Sequence, residues 1–340
     1  MISKIFLDKS FFSDNPKKII ENANFTVTLF KYASGIEAVR LANSRGYVVV
    51  LPYMGQMIWD LQFDNIDLKM KNMFTQPKPA QCVVDTYGCF AFHSGLLANG
   101  CPSQNDSHSL HGEMPCATMD QAWLEISDKN IAISGSVEYV QGFGHHYQAV
   151  PLVRLGANET QIDISMSVKN LATVPMPLQY MCHMNYAYVA NGEIKSNLPD
   201  NAFALRESIP AHVQPTPKWL AFNDNIKAMQ QAGKSLVKLD NPEMYDPEIV
   251  FMADEIDQYG DKATFEITSP EGYTFSTEFS TKDFPSATRW LLYNGDQQVA
   301  AFVLPGTCRP EGFLAAKQAG TLIMLEPGKK RNFNVRTGKK

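Results

Sequence analysis

Short runs in which apolar residues return at every second position recur along this chain, and they constrain its fold more than any other feature. Two clear examples are Ile131 to Val137 and Gln161 to Val168. A period of two is typical of a strand with one buried face, whereas an amphipathic helix repeats every three to four residues. Further strands are predicted at 47–52, 57–63, 263–267, 274–279, 290–293 and 331–335.

Helical periodicity is scarce in this chain. Helices are expected only at 16–21 and 224–232, and no internal repeat is present. The 21 glycines and 20 prolines interrupt the strand runs at short intervals, as turn residues do. We therefore predict an all-β fold, a sandwich of antiparallel strands in one domain over 1–340, with 1–40 as an N-terminal extension packed on it.

Composition excludes several classes of protein. Of the 340 residues 44% are hydrophobic, enough for a substantial core, and the net charge of −5 offers no basic face for nucleic acid. The longest apolar stretches, 48–51 and 300–304, are too short to span a bilayer. Asp8 precedes any apolar segment of signal-peptide length, so a cytoplasmic location is expected.

The six cysteines are predicted to be reduced, buried thiols. No pair has the CxxC spacing of a four-thiolate zinc site, and no export signal is present. Cys182 stands directly before His183, but neighbouring residues of a strand point to opposite faces. A nucleophilic Cys–His pair is therefore not expected there.

Residues with catalytic potential concentrate in three segments. The first contains three of the seven histidines, and the third is a turn-rich loop with Arg309 and Glu311. In the second, His183 and Asn185 share one face of a predicted strand, which places two polar groups on one apolar surface. The three segments are 92–115, 179–186 and 303–313.

Four segments, in the same order, resemble the aldose 1-epimerase superfamily, which has the galactose mutarotase-like fold. Within the second, Leu110-His111-Gly112 is similar to the family's Leu-His-Gly motif, although Glu113 replaces the usual second glycine. The resemblance runs from about residue 40 to the C-terminus and implies a β-supersandwich with an open cleft across one sheet. The four segments are 43–56, 109–115, 181–186 and 245–251.

The resemblance also implies a reaction, the interconversion of the anomers of a free sugar. A base removes the proton of the anomeric hydroxyl while an acid protonates the ring oxygen, and no cofactor is needed. By the resemblance, His183 is the acid, and His111 and Asp246 bind the sugar. We add two further substrate-binding residues. Asn185 shares the strand face of His183, and Arg289 stands just before Trp290 and the 303–313 loop.

The base has no direct counterpart in this chain. In the family it is a glutamate at the end of a late strand, and the matching position here is Leu304, before Pro305. Leucine cannot accept a proton. We predict Glu311, in the same loop, as the base, with Glu113 as the next candidate.

Two other functions stay open at this point. His93, His108, His111 and Glu113 carry enough nitrogen and oxygen ligands for Zn or Mn, as in a metal-dependent sugar isomerase. Alternatively, the protein binds a carbohydrate without catalysis, since a fold does not determine a function. In every case the expected partner is a small-molecule sugar, with no nucleic acid and no membrane, and a homodimer is left open.

Overall fold

Antiparallel strands account for most of the architecture. The computed structural model describes residues 3–340, and within this range it contains 22 strands and two α-helices. The strands are β1 Ser3–Leu7, β2 Lys17–Glu21, β3 Thr26–Lys31, β4 Glu37–Ala42, β5 Gly46–Val50, β6 Ile58–Phe63, β7 Ile66–Asp67, β8 Ala91–Leu96, β9 Gln121–Ile126, β10 Asn130–Val140, β11 His146–Gly156, β12 Gln161–Asn170, β13 Met176–Met184, β14 Glu193–Ser196, β15 Ala204–Leu205, β16 Ile249–Ala253, β17 Lys262–Thr268, β18 Thr274–Ser280, β19 Ser286–Tyr293, β20 Gln298–Gly306, β21 Ile323–Leu325 and β22 Lys330–Lys339. The helices are α1 Pro217–Gln231 and α2 Phe313–Ala319.

The strands form two large sheets that enclose the core. The nine-stranded sheet has the order β1-β9-β10-β11-β12-β22-β18-β17-β14. The thirteen-stranded sheet follows β15-β16-β19-β20-β13-β8-β6-β5-β4-β3-β2, with β21 paired to β13 and β7 to β6. Strands such as β12 and β17 bury every second residue, so the alternation read from the sequence is a one-sided burial pattern. The predicted all-β antiparallel fold is confirmed.

Two central strands of the thirteen-stranded sheet are buried on both faces. Every residue of β8 and of β13 is buried. In their antiparallel pairing His183 lies opposite Phe92, and Cys182 lies opposite His93. Since paired residues point to the same side, His183 and Phe92 share the outer face, while Cys182 and His93 face the core. The prediction that Cys182 and His183 lie on opposite faces is therefore confirmed.

The predicted helix at 16–21 is wrong, because these residues form β2. This strand pairs with β3 at the edge of the sheet, with Lys17 opposite Leu29 and Glu21 opposite Thr26. A six-residue segment is too short to nucleate a stable helix alone, whereas an adjacent strand offers immediate backbone partners. The other predicted helix, 224–232, lies in α1, which begins earlier because Thr216 caps it by accepting a hydrogen bond from the Trp219 amide.

Residues 3–40, expected to be an extension, supply hydrogen-bonded strands to both sheets. β1 forms the edge of the nine-stranded sheet by pairing with β9, and β2, β3 and most of β4 lie in the thirteen-stranded sheet. All six cysteines, which fall within the described range, are free thiols. Neither helix of residues 3–340 has the length and apolarity required to cross a membrane.

Candidate functional site

The outer face of the thirteen-stranded sheet carries a cluster centred on His183, which contains one further imidazole and three aromatic rings. The His183 ring stacks on Phe92, with centroids 4.5 Å apart and planes inclined by 13°. His111 and Trp290 approach it edge-on, with centroids at 4.7 and 5.8 Å, and Tyr87 lies at 6.1 Å. Only 4% of His183 is exposed. Aromatic walls around a polar ring are suited to the apolar faces of a sugar.

Leu304 lies on β20, the strand next to the one that carries His183. The two strands pair at Met181 and Gly306. Leu304 in turn pairs with Thr288 on β19. The side chain at the position expected for the base is thus apolar and buried, on the strand adjacent to that of the central histidine.

Burial dominates the protonation state of His183. It lowers the pKa of His183 to about 3, and the Asn185 amide only partly offsets this. Nδ1 of His183 and Oδ1 of Asn185 are both buried and make no other hydrogen bond, so the amide oxygen is available to an N–H at Nδ1. Nε2 lies 3.4 Å from the hydroxyl oxygen of Tyr87. At neutral pH His183 is therefore an uncharged imidazole.

A tight left-handed turn brings His111 to the cluster. His111 has φ of 63° and Gly112 has φ of 79°. A Cβ at position 112 would lie 2.2 Å from the carbonyl oxygen of Ala98, so only glycine fits there. The His111 amide donates to the Gly100 carbonyl, and the ring Nδ1 lies 2.9 Å from Ser94 Oγ. Burial, reinforced by the nearby His183, holds the pKa of His111 well below its usual value.

Glu248 is a buried carboxylate at the edge of the same cluster. Its Oε1 accepts a hydrogen bond from Arg206 at 2.6 Å, and its Oε2 accepts one from Trp290 Nε1 at 2.7 Å. His212 Nε2 lies 3.7 Å from Oε1. Burial alone would raise the pKa of Glu248, but His212 and Arg206 hold it below its usual value, so the carboxylate is ionised. Trp290 thus contacts both Glu248 and His183.

Solved structures of three bacterial proteins share this architecture. No protein-family model matches the chain, and no curated protein matches its sequence. A candidate aldose 1-epimerase of Klebsiella pneumoniae superposes with a TM-score of 0.80 over 100% of this chain and 91% of that one, at 13% identity. The chain has the galactose mutarotase-like fold. A galactose mutarotase-like protein of Clostridium acetobutylicum gives 0.64 over 94% and 99%, at 12% identity. A candidate aldose 1-epimerase of Escherichia coli K12 gives 0.59 over 90% and 99%, at 17% identity.

Sequence reasoning missed Glu248, Arg206 and Tyr87 on this mutarotase-like scaffold. Glu248 lies inside the segment 245–251 that carries the family resemblance, but Asp246 was chosen there. Asp246 is exposed, and its Oδ1 accepts a hydrogen bond from Asn294 at 3.3 Å. The sequence offered one signal for Glu248, its position directly before the apolar run of β16. A carboxylate buried there needs charged or donor partners, and such partners are typical of a functional site.

Glu311 lies in a different environment from the His183 cluster. Its Oε1 accepts a hydrogen bond from Ser208 at 2.6 Å, and Arg309 lies 3.9 Å from its Oε2. Glu311 lines a cavity of about 490 Å³ together with Asp254, Cys308 and α2, and the lining does not include His183. The structure thus places the predicted base beside the 206–216 connection.

Glu113 is held as a structural carboxylate. Its Oε1 accepts hydrogen bonds from the backbone amides of Leu96 and Leu97, both at 2.9 Å, and from the Tyr147 hydroxyl at 2.8 Å. These three donors tie the end of β8 and strand β11 to the turn that carries His111. The geometry therefore gives Glu113 a structural role at this turn.

Arg289 faces the core, and the next residue, Trp290, faces the cluster. The guanidinium of Arg289 donates to the carbonyl oxygens of Leu236 and Phe302 and lies 4.8 Å from the Phe203 ring centre. Burial lowers the pKa of Arg289 to about 10. The strand alternation that brings Trp290 to His183 therefore turns Arg289 away from it. Arg289 thus contacts the 199–245 segment, and this contact is structural.

The alternative metal ligands are not brought together. His93 faces the core, where its Nδ1 lies 2.8 Å from the Tyr180 hydroxyl. His108 Nδ1 donates to the Ser109 carbonyl oxygen at 2.8 Å, and its Nε2 accepts from the Phe313 amide. Residues 3–340 contain no group of three or more His, Cys, Asp or Glu side chains arranged to hold a metal ion.

Replacing Glu113 tests whether its carboxylate supports the turn or performs chemistry. Glu113→Ala leaves three donors without an acceptor, and the expected loss in free energy of unfolding is roughly 2–5 kcal/mol in urea titrations. Glu113→Gln keeps a carbonyl oxygen and should lose less. A Gln variant with wild-type stability but no activity would instead identify Glu113 as the base.

Three buried histidines make stability depend on pH. Burial lowers the pKa of His93 to about 4 and of His183 to about 3, and the pKa of His111 is also well below 6.5. Below pH 6.5 the unfolded chain binds protons that the folded chain does not, so stability falls as the pH falls. We expect the free energy of unfolding to drop between about pH 6.5 and pH 5, by up to about 1.4 kcal/mol per pH unit for each histidine.

Urea titrations at several pH values measure this dependence. His93→Gln, which removes one titrating group on the core face, should reduce the slope relative to the wild type. A free energy of unfolding that stays constant from about pH 7 to about pH 5 would contradict the neutral state of these rings.

Proposed function

We propose that this protein interconverts the anomers of a free, uncharged sugar, with His183 and Glu248 as its two proton-transfer groups. The observation that carries the proposal is the position of Trp290, whose indole donates to Glu248 and whose ring packs edge-on against His183. An ionised carboxylate and an imidazole therefore share one aromatic wall. Both steps of the reaction are proton transfers, so the proposed chemistry needs no cofactor.

Glu248 takes the role of the base at the anomeric hydroxyl. It is ionised, and each of its oxygens is engaged by one strong donor, which leaves lone pairs for a sugar hydroxyl. Arg206 and Trp290 hold the carboxylate in one orientation. Glu248 thereby supplies the proton acceptor that Leu304, at the expected position, cannot supply.

His183 takes the role of the acid at the ring oxygen. The acid is the protonated ring, whose Nδ1–H faces Asn185 Oδ1, so the transferred proton is the one on Nε2. Because burial makes the protonated ring a strong acid, it releases this proton readily to the departing ring oxygen. Phe92 stacked on the imidazole fixes the plane of the ring.

The charge balance of the cluster supports an uncharged substrate. The cation of Arg206 is paired with Glu248, and His111 and His183 are neutral at neutral pH. A phosphate or carboxylate group on the sugar would meet no unpaired cation among these residues. The side chain of His212, which is 53% exposed, marks the side from which a sugar reaches Glu248. Because only 4% of His183 is exposed, binding also requires side chains around its ring to move.

A second candidate function is carbohydrate binding without catalysis. It is favoured by Leu304, which fills the position of the family's base and is buried on the strand adjacent to that of His183. In that case Glu248 and His111 only hold sugar hydroxyls. The cytoplasmic location and a homodimer stay predictions under either function.

Anomer exchange by NMR magnetisation transfer tests the proposal on a panel of aldoses and ketoses, with and without a chelator. We expect chelator-insensitive exchange of one sugar, reduced at least about a hundredfold by His183→Ala and by Glu248→Gln. Glu311→Gln is the matched control, a carboxylate outside the cluster, and should keep nearly full activity.

Other results of the same experiment contradict the proposal. Exchange lost in Glu311→Gln but kept in Glu248→Gln would make Glu311 the base. Slow aldose–ketose conversion that a chelator stops would establish the metal-dependent isomerase. Sugar binding, seen as shifted protein resonances, without any exchange would establish the carbohydrate-binding function.

The pH dependence of the rate tests the role of His183 as the acid. Because burial lowers the pKa of His183 to about 3, its protonated form becomes more abundant as the pH falls. Glu248 stays ionised over the same range because its pKa is below its usual value. After subtraction of the spontaneous exchange, kcat/KM should therefore rise from about pH 7 to about pH 5. A rate that falls in this interval contradicts the assignment.

A further inference from the structure

A buried network of polar side chains lies behind His111, and the proposed reaction does not use it. Ser94 and Asn99 are both completely buried. Ser94 Oγ lies 2.5 Å from Asn99 Oδ1 and 2.9 Å from His111 Nδ1. The Asn99 amide nitrogen makes no hydrogen bond to N or O and approaches the Cys308 thiol, lowering the pKa of Cys308 in opposition to burial.

Once the side-chain amide of Asn99 is oriented, the donors and acceptors of this network can be assigned in only one way. A serine hydroxyl has one proton to donate, and an amide oxygen can only accept. The shortest contact of Ser94 is the one to Asn99 Oδ1, so its proton is used there. Ser94 Oγ then presents only lone pairs to His111, and Nδ1 must be the donor. At the far end of this network Gln179 Nε2 lies 3.1 Å from Cys308 Sγ.

We infer that Ser94 and Asn99 are positioning residues that hold the proton of His111 on Nδ1 and so make its Nε2 a hydrogen-bond acceptor in the cleft. A neutral imidazole has one N–H and one lone pair, so fixing the first also fixes the second. His111 is neutral because burial and the neighbouring His183 lower its pKa. Its ring centre lies 4.7 Å from that of His183, at the place where the sugar is proposed to bind.

The inference has a consequence for the substrate, and this part depends on the proposed function. The sugar must offer a hydroxyl as a donor to His111 Nε2. An ether oxygen or a methoxy group at the same position would meet a lone pair and be rejected. The tautomer itself does not depend on any sugar.

NMR spectra of isotope-labelled histidine ring nitrogens show directly which nitrogen carries the proton. In the wild type, without sugar, we expect His111 to have a protonated Nδ1 and a bare Nε2. In Asn99→Leu the Ser94 hydroxyl loses its nearest acceptor. It then turns to Nδ1 at 2.9 Å, which is closer than its other acceptor, the His111 carbonyl oxygen at 3.4 Å, so the proton of His111 should move to Nε2. Asn99→Asp keeps the acceptor oxygen and is the matched control: Nδ1 of His111 should stay protonated, also if the new carboxylate draws a second proton onto Nε2.

A wild-type His111 with its proton on Nε2 overturns the inference, as does an Asn99→Leu variant that folds and keeps the wild-type tautomer. If Asn99→Leu does not fold, Ser94→Ala replaces it. That variant removes the acceptor for Nδ1–H, so a population with the proton on Nε2 should appear, and an unchanged spectrum overturns the inference.

Kinetics separate this inference from the proposed function. For a sugar that the wild type exchanges, Asn99→Leu should raise KM about tenfold, the effect of one lost hydrogen bond, with a smaller change in kcat. An unchanged KM overturns the acceptor role of His111 but leaves the exchange activity in place. Absence of exchange for every sugar overturns the proposed function, and the NMR result still decides the tautomer.

Discussion

The antiparallel register of β8 on β13 is the constraint on which the rest of the site depends. It places His183 opposite Phe92 and Met181 opposite Ser94. Three groups therefore share the outer face of the thirteen-stranded sheet: the imidazole of His183, the ring of Phe92 and the hydroxyl of Ser94, which contacts His111. A shift of β13 by one residue would turn His183 into the core, where Cys182 now lies, and separate it from Phe92. The register is strongly determined, because both strands are buried on both faces.

Much of the fold could be predicted from the period-two patterns, because each depends only on residues within one strand. The same rule placed His183 and Asn185 on one face. Applied consistently, it would also have turned Arg289 away from Trp290, since adjacent strand residues cannot face the same cleft. The helix predicted at 16–21 failed for a different reason. A segment this short takes the conformation that its neighbours offer, and β3 offers backbone partners for a strand.

The rest of the site depends on contacts between residues distant in sequence. Glu248 is ionised and oriented by Arg206 and Trp290, each 42 residues away along the chain. Glu113 became a structural group because Tyr147, 34 residues further on, donates to it. Local patterns identify which carboxylates exist, but the fold decides which of them receives structural donors and which one faces an imidazole. This choice matters because Leu304, and no carboxylate, occupies the position expected for the base.

The central claim is that a sugar binds between His183 and Glu248 with its anomeric centre facing both groups. A crystal structure of the protein soaked with the aldose that it exchanges fastest tests this most directly. The account predicts the anomeric oxygen within hydrogen-bond distance of the Glu248 carboxylate and the ring oxygen within the same distance of His183 Nε2. A sugar held in the cavity beside Glu311, with no contact to either residue, would contradict it.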